Sequence, residues 1–307
     1  MKHRNDLMLL RIAQGDAYGM AREYVKRKDF PELYLQCLEF KQYLQHPTYH
    51  KLPPGTYTDD TQMSLAVTEA LINAQRGVLL TAEVFVQRFF DAFKRDPRDG
   101  YSRAFQAILE EATSPDHLRQ LIVPTSHANG AAMRSVPIGV IKDPKEVMRI
   151  AGMQAATTHA SYGGINASIA VALMSHFALY DRREFSSIVE WGNHHCPAFE
   201  YFREPWSGPV QENSDDGKGL GVGLNTAWAV STLLMHSTSL MDMMKRAIMW
   251  GGDTDSVCAI AWGIASCRAL DEDIPTFLER DLEQHTSGQY GVTYLKQLGK
   301  QLMDAYV

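Results

Sequence analysis

Strand signals are almost missing from this sequence. No stretch alternates apolar and polar residues over strand length, and no Asn-Gly turn joins two β-branched runs. That argues against a sandwich or barrel and leaves helices. Cysteine is scarce: Cys37, Cys196, Cys258 and Cys267 show no C-x-x-C spacing, which excludes a cysteine zinc site and a disulfide framework. Cys258 and Cys267 fall in an apolar helical run and read as buried free thiols, as expected in a reducing cytoplasm. No apolar run is expected to span a membrane, and Leu7–Leu10, behind a basic start, is too short for a signal-peptide core. Excess positive charge is also lacking. The net charge is −6, no footprint for nucleic acid or an anionic membrane. Fixed-period repeats and domain linkers are absent too. The 307 residues, 45% hydrophobic and 21% charged, therefore read as one soluble helical domain.

What is present centres on Trp250-Gly251-Gly252-Asp253-Thr254-Asp255-Ser256, followed at once by the apolar run Val257–Gly263. Two glycines make a turn, and two carboxylates one residue apart then open a helix. Asp-x-Asp flanked by hydroxyls offers several hard oxygens, which suits Mg²⁺ or Mn²⁺. The plain alternative is that Asp253 or Asp255 only caps the helix. A second cluster, Thr58-Asp59-Asp60-Thr61, also precedes an apolar helical run. If the two helix starts meet, four carboxylates converge, and cations are needed to offset their repulsion.

Periodicity and end signals predict helices at Leu7–Ile12 (ending near Gly15), Thr61–Arg76, Thr81–Lys94, 103–112, Asp143–Thr158 and Gly163–Tyr180. More follow at about 222–236, 240–249, 256–270, 274–285 and 290–305. Residues 26–57, with four prolines, read as an irregular insertion or lid. Residues 121–142 read as loop, and 203–221 as a mobile Gly/Pro/Asp-rich loop.

Three further places could carry chemistry. Asp16 and Glu23 are seven residues apart, about two helical turns, so they could share a face. The turn at Asn129-Gly130, with Met133 and Arg134 behind it, could offer amides to a phosphate. His159 ends a helix, where a charged imidazole would suit the dipole. Solvated acids, a plain turn and a capping histidine are the respective alternatives.

Gly15-Asp16-Ala17-x-Gly19-x-x-x-Glu23, Thr58-Asp59-Asp60-Thr61-x-Met63, Asn129-Gly130-Ala131-Ala132-Met133-Arg134, Thr158-His159 and Gly251-Gly252-Asp253-Thr254-Asp255-Ser256 occur in one order. In that order they resemble the ADP-ribosylglycohydrolases, over about residues 7–270. The resemblance implies an all-α fold with a dinuclear Mg²⁺ or Mn²⁺ centre. It implies cleavage of the N- or O-glycosidic bond between ADP-ribose and a target, such as a protein arginine or serine. Thr58, Asp59, Asp60, Asp253, Asp255 and Ser256 then fall at metal-ligand positions, with Ser256 where many members have threonine. Glu23 and Asp60 are the acids expected to take part in catalysis. Gly100, Tyr101 and Ser102 fall where the diphosphate is held. Ser126, His127, Asn129, Gly130, Met133 and His159 fall along the rest of the substrate pocket. Asp16 and Asp99 are weaker candidates for the metal site.

Two other classes remain open at this point. A two-metal phosphoesterase could use the same acids but would need a phosphate-gripping cluster, for which only Arg98 and Arg134 are at hand. A non-catalytic ADP-ribose- or partner-binding protein is the other, although every metal position keeps an oxygen ligand.

Overall fold

Close helix packing by small residues sets the architecture. The computed structural model describes residues 4–211, 220–268 and 274–307. In it, helix α1 (Met8–Gly19) lies along a late helix, Thr254–Ala265, over its whole length. Three glycines permit the approach. A Cβ on Gly15 would fall 2.5 Å from the Cys258 carbonyl oxygen, one on Gly19 the same distance from that of Thr254, and one on Gly263 2.5 Å from Ile12 Cγ1. No side chain fits there.

Between the two run α2 (Pro31–Cys37), α3 (Asp59–Gln75), α4 (Ala82–Arg95), α5 (Arg103–Glu111), α6 (Pro115–Leu121), α7 (Gly130–Met133) and α8 (Pro144–Ala156). Then come α9 (Tyr162–Tyr180), α10 (Ile188–Asn193), α11 (Gly221–His236) and α12 (Leu240–Trp250), before the late helix itself, α13. Two elements follow, α14 (Phe277–Arg280) and α15 (Val292–Tyr306). Caps mark many of the starts: the side chains of Thr81, Ser102, Ser114, Asp143, Ser161 and Ser239 each accept a backbone N–H of the first turn. Among the described residues there is no strand, only isolated bridges at Thr125–His159 and Val210–Gly252. Buried apolar residues from Met8 to Met303 form one continuous cluster. All four cysteines are free and buried.

Several boundaries differ from the sequence expectation. Helix α1 does not end near Gly15 but continues to Gly19, and a 3-10 turn carries it to Arg22, because Gly15 is a packing contact and not a stop. Glu23 therefore lies just beyond a helix and not on one shared with Asp16. The 26–57 segment contains α2, with Pro31 in its first turn, where proline costs no hydrogen bond. The 121–142 loop contains α7 and a 3-10 turn at Val136–Val140, and α6 precedes it. The helix expected at 274–285 shrinks to four residues, closing before Glu283, whose φ is +62°. The α-helical part of 256–270 ends at Ala265, and residues 269–270 lie outside the described residues, as do 212–219 of the expected mobile loop. Helix α9 is, against expectation, long and apolar enough to cross a membrane, and 78% of that window is buried inside the protein.

The glycine contacts make a paired prediction. Gly15→Ala should lower stability by about 1–3 kcal/mol, the range for overpacking a tight core. Gly152→Ala, where the added methyl meets nothing closer than 3.7 Å, should be neutral or raise stability by up to about 1 kcal/mol. Denaturation midpoints of both variants decide it; equal effects would contradict the packing account.

Candidate active site

The α1–α13 contact brings two helix N-termini together. At one end of α1, the Thr254 hydroxyl donates to the Gly19 carbonyl at 2.7 Å, which seats the start of α13. One turn earlier, Asp16 is fully buried and reaches the start of α3. It accepts Thr58 N–H and hydroxyl, both at 2.9 Å, and Thr61 N–H and hydroxyl at 3.1 and 2.5 Å. Thr58 sits at the N-cap of α3 but makes no side-chain cap bond there, so Asp16 supplies the cap from another helix. Asp16 is thus a structural acceptor, and the Thr58 hydroxyl proton is committed to it.

Asp59 and Asp60 then occupy the first turn of α3, and Asp253, Asp255 and Ser256 the cap and first turn of α13. Ser256 and Asp60 line the same cleft from the two helix starts. Helix dipoles favour the carboxylates at these ends but do not neutralise them. Burial pushes Asp16 up to about 6 and Asp59 to about 7, Asp59 further through the charges of Asp16 and Asp253. Asp60 and Asp255 are driven well above the carboxylate range, first by burial, then by each other's neighbours, with Glu23 the largest charge acting on Asp255. One oxygen each of Asp60, Asp253 and Asp255 (Oδ1 in every case) is buried with no hydrogen-bond partner. Three orphaned acceptors in one place fit a cation, because nothing else present compensates them. Among the described residues no three acid, histidine or cysteine side chains already close as a finished metal cage. The case for cations rests on the orphaned oxygens.

These acids line a cleft of about 1050 Å³. Glu23, Gly100, Tyr101, Ser102, Ser126, Asn129, Gly130, Met133 and His159 line it too, as expected. Gly100 has φ +121° and lies so near the acids that a Cβ would meet Thr58 Cβ at 2.7 Å and Asp59 Oδ1 at 3.0 Å. Ser102 caps α5, whose N-terminus opens on the cleft. His159 sits over Gly130, its Nδ1 hydrogen-bonded to the Thr158 hydroxyl at 2.7 Å. Burial and the Arg134 charge hold it down at about 3, so it is a neutral imidazole and not a charged dipole partner.

Other expectations need correction. His127 is exposed and does not line the cleft. The Tyr101 hydroxyl donates to Gln62 and its ring packs on Phe93 and Phe105, so it forms wall and not a phosphate donor. Asp99 lines the cleft and is paired with Lys51 at 3.6 Å. The Asn129 amide donates to Asp253 Oδ2 at 2.9 Å and to Thr226, which makes it a support for an acid. Arg134 is bound to Gln154 and Thr158 over the Phe89 ring. Arg98 stacks on Tyr57 and is bidentate to Glu283, which also takes the Tyr57 N–H. Neither arginine is a phosphate-gripping group. Sequence reasoning missed Tyr24, whose hydroxyl donates to Asp253 Oδ2 at 2.9 Å. It also missed Tyr49 and Lys51 at the rim and the apolar wall formed by Phe105, Ile108, Ile122 and Val123. Only the adjacency of Tyr24 to Glu23 could have pointed to it.

Buried acids that line one cleft beside a helix N-terminus are the arrangement of an active site on an all-helical scaffold. A family model described as ADP-ribosylglycohydrolase matches residues 8–306, and the chain belongs to that family of hydrolases. The match runs past residue 270 into α15. The chain is similar to ADP-ribosylhydrolase ARH3 of Mus musculus, at 31% identity over 74% of this chain and 73% of that one. It is also similar to ADP-ribosyl-[dinitrogen reductase] glycohydrolase of Rhodospirillum rubrum, at 26% identity over 87% and 86%. A solved structure titled ADP-ribosylglycohydrolase-related protein complex shares the fold, with TM-score 0.74 and 22% identity over 99% of both chains.

The raised acids fix a pH dependence for the cation-free protein. Asp16 and Asp59 bind protons more tightly folded, at about 6 and about 7, than unfolded, where carboxylates titrate near about 4. The folded state holds the extra protons, so stability falls as pH rises through this window. In EDTA the melting temperature should drop between about pH 5 and about pH 8. A flat or rising profile would contradict the clustered acids.

Proposed function

We propose that this enzyme removes ADP-ribose from a modified target, protein-linked or related, with the help of divalent cations. The observation that carries the reading is the trio of orphaned oxygens on Asp60, Asp253 and Asp255 at the floor of the cleft. Asp59, Asp60, Asp253, Asp255 and Ser256, with the oxygen of Thr58 behind them, are the groups that would hold Mg²⁺ or Mn²⁺. Bound there, the cations would offset the carboxylate repulsion and orient the vicinal ribose hydroxyls.

The remaining roles belong to the chain. The α5 N-terminus behind Gly100 and Ser102 offers amides and a positive dipole end to the diphosphate. Neutral His159 and the wall from Phe105 to Val123 give the cleft an apolar, uncharged end, suited to a flat uncharged group. Hydrolysis exchanges the bond from the anomeric carbon to nitrogen or oxygen for a bond to the water oxygen. The leaving group departs with the electron pair and gains a proton, and the water loses one. Glu23 lines the cleft beside Asp255 and would accept the water proton. The buried acids complement the positive charge that gathers at the anomeric carbon.

The phosphoesterase reading loses its support because Arg98 and Arg134 are both spent on the protein. A purely binding role is disfavoured by the intact acid set.

Asp59→Ala and Asp255→Ala should each abolish release of ADP-ribose and the thermal stabilisation by Mg²⁺ or Mn²⁺, with helical circular dichroism retained. Full activity in both variants would overturn the reading. A panel of arginine-, serine- and nucleic-acid-linked ADP-ribose substrates assigns the linkage.

Glu23→Gln keeps size and one acceptor but cannot take a proton. Its kcat should fall about 10²-fold or more under saturating cation, with ADP-ribose Kd little changed. A kcat within a few-fold of wild type would remove Glu23 from the chemistry.

A further inference from the structure

Asp253 differs from its neighbours in how its two oxygens are used. Oδ2 accepts two hydrogen bonds at 2.9 Å, from the Tyr24 hydroxyl and from the Asn129 amide. Oδ1 is buried and accepts none. Two donors on one oxygen fix the carboxylate and leave its other oxygen uncommitted, as are the Oδ1 atoms of Asp60 and Asp255.

Tyr24 is held for this task at a cost. Its φ of +50° lies in the left-handed region, which a bulky aromatic residue rarely adopts. Such backbones persist only where the surroundings enforce them. Here Tyr24 N–H donates to the Gly252 carbonyl at 2.8 Å, while the Glu23 carbonyl is bonded to His46 Nε2 at 3.0 Å. The His46 Nδ1 accepts the Tyr49 N–H at 2.9 Å, so Nε2 carries the proton and donates. The Glu23–Tyr24 peptide is therefore tied on one side to the Gly252 turn that leads into Asp253 and on the other to the 26–57 segment. These ties bring the phenol to Asp253 while Tyr24 still lines the cleft.

We infer that Tyr24 is a positioning residue of the cation site: its hydroxyl, together with the Asn129 amide, occupies Asp253 Oδ2 and presents Oδ1 as the ligand atom. The inference rests on the cation reading above and names the residue that prepares the site. Partners that orient a ligand in this way are worth about 10- to 100-fold in metal affinity.

The test is titration of the full chain with Mn²⁺ alone, followed calorimetrically, for wild type, Tyr24→Phe and Tyr24→Gly. Phenylalanine keeps ring and backbone and removes only the hydroxyl. Glycine suits the left-handed backbone and removes the whole side chain. Both variants should bind Mn²⁺ about 10-fold or more weakly, while the Phe variant melts in EDTA at the wild-type temperature. An Mn²⁺ affinity of the Phe variant within about two-fold of wild type would overturn the inference, as would a loss confined to the glycine variant, which would assign the effect to the backbone. A wild-type chain that does not bind Mn²⁺ would instead sink the cation reading on which the inference stands.

Discussion

The repulsion among buried carboxylates is the constraint on which this structure turns. Asp16, Asp59, Asp60, Asp253 and Asp255 converge where the starts of α3 and α13 meet the end of α1. In water such acids would stay apart. Here they are held by the least negotiable parts of the fold, the backbone contacts of Gly15 and Gly19 against α13. The scaffold thus carries an unfavourable charge cluster beside its tightest helix contact.

The loops that complete the cleft are tied back to the scaffold by polar groups, not by more apolar packing. Glu283, fully engaged by Arg98, Tyr57 N–H and the Thr286 hydroxyl, clamps the strand of chain entering α3 to the loop that carries Gly100. His46 ties the 26–57 segment to Glu23. Burying the Arg98–Glu283 pair contributes little net stability, since desolvation offsets most of the attraction. Its value is geometric: the pair ties the chain just before α3 to the segment that carries Arg98. Tyr49 and Lys51, on the 26–57 segment, add that segment to the lining of the cleft.

Much of this was legible in the residues. The missing strand signals and the capped apolar periodicities identified an all-helical chain. Asp-x-Asp after Gly-Gly, and Thr-Asp-Asp-Thr before an apolar run, marked the two helix starts that meet. What was not legible depended on contacts between elements. Gly15 reads as a stop signal in sequence but is a contact surface, so α1 ran on and moved Glu23 off the helix. Asp16 read as a possible ligand, yet its four hydrogen bonds make it the cap of a distant helix. Arg134 and Tyr101 stood in the right motifs, but tertiary partners turned their polar groups into the wall. Tyr24 had no local signal beyond its place next to Glu23, because its contact with Asp253 depends on a positive φ and joins residues 229 positions apart.

The central claim is that cations complete the acid cluster, and anomalous diffraction from Mn²⁺-loaded crystals tests it most directly. The account predicts manganese peaks at about 2.0–2.6 Å, oxygen-ligand distance, from Oδ1 of Asp60, Asp253 and Asp255. No manganese among these three oxygens, with peaks only elsewhere on the chain, would contradict it.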